Sequence, residues 1–163
     1  MSRRLALLLL LVVAPGCLLP PRERVEPLRI SQRVGQGDAS RRASLRLVLD
    51  GLDAEVARDA PRARSLYQRA LQVDPTNPYA FLALARQAAE KGHIPLGLTY
   101  LQQAAAWLAE DPAREAARVH LEGLRGALLR QQGAPEGLAL LRHAAELAPG
   151  VWGDGRLDAR ELR

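Results

Sequence analysis

Residues 77–107 read NPYAFLALARQAAEKGHIPLGLTYLQQAAAW. In the first half, Phe81, Leu84, Ala85 and Ala88 stand at i, i+3, i+4 and i+7, which is one stripe of an α-helix. Asn77 is a good helix cap and Pro78 a good first residue, because the amide that proline lacks would be unpaired there anyway. Lys91-Gly92 closes the helix with a cation in its last turn and a residue free to take positive φ. In the second half, Leu98, Leu101 and Ala105 share a face, and Gly97 and Ala104 are small enough to admit a neighbouring helix. The stretch predicts two amphipathic helices joined by one tight turn.

Composition agrees with a helical core. Of the 163 residues, 48% are hydrophobic but only 4% aromatic, so the interior must be built from Leu and Ala, both good helix formers. The net charge of +5 invites a nucleic-acid partner, but the basic excess is local. Arg3 and Arg4 lie at the start, and residues 18–43 hold six arginines against Glu23, Glu26 and Asp38. Residues 44–163 hold 15 basic and 15 acidic side chains, which leaves nothing to neutralise phosphates. No nucleic-acid partner is expected.

The pattern of residues 77–107 extends in both directions. Leu45, Val48, Leu49, Leu52 and Val56 form a stripe from Ser44 on, and Pro61 starts a helix over 62–73 with Leu66, Ala70 and Val73 on one face. LYQRALQVDP (66–75) returns as TYLQQAAAWLAEDP (99–112) and as LALLRHAAELAP (138–149). Ala70 recurs at Ala104, 34 residues on, and at Ala144, and Pro75, Pro112 and Pro149 are each 37 apart. A helix pair cannot bury its apolar face alone, so repeated pairs must stack.

These residues resemble the tetratricopeptide repeat, a 34-residue helix–turn–helix. In the middle repeat its signature falls on Phe81, Leu84-Ala85, Gly92, Gly97, Leu101 and Ala104, with the closing proline displaced to Pro112. The first repeat matches at Leu47, Gly51, Ala63, Tyr67, Ala70 and Pro75, with Asp50 where Leu belongs. The third matches at Leu121, Leu124, Gly137, Leu141, Ala144 and Pro149. The resemblance implies an all-α fold, a short right-handed superhelical stack of about three antiparallel helix pairs over 44–149. It also implies a groove lined by the first helix of each pair. Its lining would fall on Tyr79, Leu82, Arg86, Ala89 and Glu90, and on Val119, Glu122, Gly126 and Arg130. An apolar floor with scattered charge suits a peptide or helix from a protein partner.

The N-terminus carries a second resemblance. MSRRLALLLLLVVAPGC (1–17) has a basic start, an apolar run over 5–14 and small residues before the only cysteine. The run is short for a bilayer-spanning helix and suits an export signal. Ala14-Pro15-Gly16-Cys17 resembles the lipobox of bacterial lipoproteins, with Ala14 where that family has Leu, Val or Ile. The resemblance implies removal of a signal peptide, 1–16, and acylation of Cys17, a membrane anchor in which several chains enter the bilayer together. Leu18 after the cysteine points to the outer membrane of the bacterial cell envelope, facing the periplasm. Residues 17–43, with Pro20, Pro21, Pro27, Gly35 and Gly37, are expected to be a flexible tether, whose arginines could rest on anionic head groups.

Catalysis is not expected. Ser44 and Ser65, the only serines from 44 onwards, sit in no nucleophile turn, and no glycine-rich phosphate loop occurs. His143 and Glu146 are i, i+3 on one helix, half a metal site at most, and His93 and His120 stand apart. No cofactor and no metal is expected. The tail over 150–163 contains DGRLDARE (154–161), similar to the second half of an EF-hand loop. Gly150 and Trp152 stand where its first oxygen donors belong, so a short capping helix from about Leu157 is the simpler expectation. The function expected is a non-catalytic, membrane-anchored scaffold for protein–protein interactions. The alternatives are a calcium- or ligand-binding module using the tail, and a membrane-surface protein acting through its arginine-rich tether.

Overall fold

The computed structural model describes residues 24–163. It is all-helical, with no strand among the described residues. Six helices form three hairpins in series: α1 (Ala39–Val56) with α2 (Ala60–Val73), α3 (Pro78–Glu90) with α4 (Ile94–Leu108), and α5 (Arg114–Gln131) with α6 (Glu136–Leu147). Two single-turn helices follow, α7 (Pro149–Trp152) and α8 (Ala159–Leu162). No helix among the described residues is long and apolar enough to cross a membrane.

Local chemistry sets the hairpin ends. The Asp38, Asp59 and Asn77 side chains accept hydrogen bonds from the amides of Arg41, Arg62 and Tyr79, capping α1, α2 and α3. Gly92 and Gly133 take φ of 69° and 76° after α3 and α5, so that the His93 amide reaches back to the Ala88 carbonyl and the Ala134 amide to that of Leu129.

Each hairpin closes over small residues. A Cβ on Gly51 would lie 2.3 Å from the Tyr67 ring, and one on Gly137 would lie 2.7 Å from the Gly126 carbonyl oxygen. The hairpins then stack in chain order, α2 on α3 and α4 on α5, with α3 also against α1 and α5. Thus α3 is surrounded, and from Pro78 to Ala89 only Phe81 escapes full burial. A buried polar node fixes the register of the first three helices. Ser44 Oγ donates to the Ala70 carbonyl at 2.7 Å and accepts from Asn77 Nδ2 at 2.7 Å. Every member of that node is satisfied, as burial requires.

The N-terminal segment departs from the expected tether. Within 17–43, residues 24–33 form a strap packed on the helices, and α1 begins at Ala39 rather than Ser44. Leu28 and Ile30 are buried, worth about 2 kcal/mol each in transfer free energy. The strap is also paired by its backbone: the amides of Val25, Leu28 and Ser31 donate to the carbonyls of Leu147, Ala116 and Arg163. A chain that has lost this much freedom needs such compensation.

Candidate functional site

The groove implied by the repeat resemblance is occupied by the chain itself. The strap and the tail cover the side of α1, α3 and α5 that their hairpin partners leave open. On α5 the covered stripe is Ala116, His120 and Gly123. The Ala116 carbonyl takes the Leu28 amide, His120 Nε2 lies 2.9 Å from the Leu28 carbonyl, and Trp152 sits over Gly123. Further along, α8 packs on α1, and Arg163 Nη2 reaches Asp53 at 3.0 Å. Leu157, Ala159 and Leu162 are buried in the same core.

The groove residues named from sequence are therefore corrected. Tyr79, Leu82, Arg86 and Ala89 are buried, as is Val119. Gly126 faces α6, where a Cβ would meet Gly137 and Leu141 backbone atoms at 2.9 Å. Glu122 is half-buried and turned to α6, held by Arg118 Nη1 at 2.9 Å and His143 Nδ1 at 2.8 Å. Only Glu90 and Arg130 remain exposed. They stand at one end of the stack, where Gln131 Nε2 donates to the Ala89 carbonyl at 2.9 Å.

Arg86 is the least expected of these. Its side chain is 2% exposed, paired with Glu55 of α1 and with Glu90 Oε1 at 2.5 Å. Burial pulls the guanidinium below its ordinary value, against the opposing pull of Glu90 and Asp158. A cation so placed joins α1, α3 and the tail rather than meeting a ligand.

At the other end, strap and helices meet in a polar cluster. Arg33 donates to Asp111 Oδ1 at 3.2 Å and to the Tyr79 hydroxyl at 3.4 Å, and that hydroxyl donates to Asp111 Oδ2 at 3.0 Å. Burial pushes Tyr79 up to about 12, so its proton stays on and is available to Asp111. Beside it, Arg41 pairs with Asp74. Burial would raise Asp74, but hydrogen bonds from Thr76 and Arg41 outweigh it and hold the carboxyl below its ordinary range. Arg33 and Arg41, read from sequence as tether cations for lipid head groups, are thus paired within the fold.

Cys17 and the leader over 1–16 lie outside the described residues. In the tail, Asp154 Oδ1 accepts from the Arg156 amide, while Asp158 and Glu161 form a capping box at α8. These carboxylates are engaged in local structure, and no group of three metal-ligating side chains comes together among the described residues. His120 and Gly123 were legible only as a lone histidine and a mid-helix glycine; the glycine, unfavourable in a helix, was the one signal of close approach. No known protein family, no curated protein and no solved structure matches this chain.

Proposed function

We propose that this chain is a non-catalytic scaffold of the bacterial cell envelope, anchored through acylated Cys17 and built as a tetratricopeptide-like stack. Its partner is a protein, and the contact lies at the end of the stack where α3 and α5 finish. The observation that supports this reading is the exposure of Arg130, and of Glu90 beyond its pairing with Arg86, at the end of the stack where Gln131 bonds Ala89, when the rest of the inner side is closed. Exposed charge on a rigid end suits electrostatic selection of a partner.

The test is in-cell cross-linking and affinity capture of three chains: wild type, Cys17→Ala, and the charge reversal Arg130→Glu. Arg86 and Glu90 are unsuitable because reversing either would disrupt the buried Arg86 ion pairs. Loss of a discrete envelope partner with the charge reversal supports the scaffold. A partner set unchanged by the reversal contradicts the site, and one unchanged by Cys17→Ala contradicts the anchor.

A further inference from the structure

The outer sides of α2 and α4 have an unusual charge distribution. No charged residue occurs between Lys91 and Glu110, yet α4 exposes Pro95, Thr99, Gln102, Gln103, Ala105 and Ala106 along that span. Trp107, in its last turn, is 47% exposed, and Tyr100, two turns earlier on the same face, is half-buried against Phe81. On the far side of α3, α2 carries Arg62, Arg64 and Arg69 and no acidic residue. None of the three arginines is in an ion pair among the described residues.

We propose that this outer surface docks on an anionic lipid bilayer, with Trp107 and Tyr100 at head-group depth and the α2 arginines against lipid phosphates. Tryptophan and tyrosine favour that depth because one part of the ring is apolar and the other polar. An interfacial surface combines aromatic anchors with basic flanks; α4 supplies an uncharged face that carries Trp107, and α2 supplies the arginines. No acidic side chain stands on α2 or α4, so this surface has the charge sign that anionic lipid requires.

The length of the connecting chain fits the same occupant. This step rests on the proposed acylation of Cys17. Six residues separate Cys17 from Arg24, where the packed strap begins, so the seven chain steps between them reach at most ~25 Å. A body held that close to a bilayer must turn some surface toward it, and this is the surface whose chemistry matches.

Trp107 is its own probe. The full-length Cys17→Ala chain, which cannot be acylated, is mixed with phosphatidylcholine vesicles containing phosphatidylglycerol and brominated acyl chains. The expected result is loss of most Trp107 emission with a shift to shorter wavelength. That loss is absent in Trp107→Phe, where buried Trp152 still emits, and is reduced several-fold in Arg62→Glu/Arg69→Glu. Unquenched emission on vesicle-bound protein overturns the proposal, as does quenching that persists in Trp107→Phe. A dimer in sedimentation that dissociates with Trp107→Glu also overturns it, by assigning the face to a second copy. None of these results depends on acylation, which is read separately from where the Cys17→Ala chain fractionates in cells.

Discussion

Gly123 and Trp152 occupy one another's space: a Cβ on residue 123 would lie 2.3 Å from the indole carbon Cζ2. A glycine in the middle of α5 makes the notch, and the tail delivers the ring that fills it. Both are buried, and no rotation of a flexible side chain can relieve the overlap, because the opposing atoms belong to a rigid ring system.

Gly123→Ala should therefore lift Trp152 off α5 and destabilise the fold by about 1–3 kcal/mol, the usual range for overpacking. Denaturant melts measure the loss. Tryptophan emission at native conditions should move to longer wavelength in a Trp107→Phe background, where Trp152 alone reports. Unchanged emission would place the tail elsewhere.

His120 makes stability depend on pH. Its ring is buried between the strap and Trp152, with Nε2–H donating to the Leu28 carbonyl. Burial, aided by Arg29, pulls its pKa down from 6.5 to about 4. The unfolded chain thus binds a proton at a higher pH than the folded chain does. The contribution is complete above about pH 6.5 and is lost as pH falls toward about 4, in total about 3 kcal/mol. Urea midpoints across that interval should fall for the wild type, and fall much less for His120→Gln, whose amide can still donate to Leu28.

Arg86 and Glu55 should behave as a coupled pair. Arg86→Met alone leaves Glu55 without its cation in the interior and should destabilise by about 3–5 kcal/mol. Glu55→Leu/Arg86→Met removes both charges together and should recover most of that loss. A double-mutant cycle on unfolding free energy measures the coupling, and simple additivity would mean that the pair is not formed.

These pairs also show what could be read from the chain and what could not. The hairpins were legible because their signals are local: the Phe81–Ala88 stripe, the Asn77 cap and the Gly92 turn all act within a few residues. The early start of α1 was missed because Ser40, Arg41 and Arg42 give no apolar stripe, and Arg41 finds its partner Asp74 only after folding. The strap was missed for a related reason. Leu28 and Ile30 lie between a proline and a single 3-10 turn (Ile30–Arg33), too short to set a helical or strand period, and the strap's partners are about 90 or more residues away in α5 or at the chain terminus. The groove failed on the same point. Periodicity identifies the faces of α3 and α5, but what covers a face depends on distant segments, so Arg86 read as a charge facing solvent.

The central claim is that the two ends of the described chain close the inner side of the three hairpins. Native-state hydrogen exchange over 24–33 and 157–163 tests it most directly. The amides of Leu28 and Ser31 donate within the fold, to Ala116 and Arg163. Protection of these two amides comparable to that of α5 is the predicted result, with both segments losing it together in Gly123→Ala. Exchange of residues 24–33 at the rate of an unstructured chain, while α3 and α5 stay protected, would contradict the account and restore an open groove with a free tether.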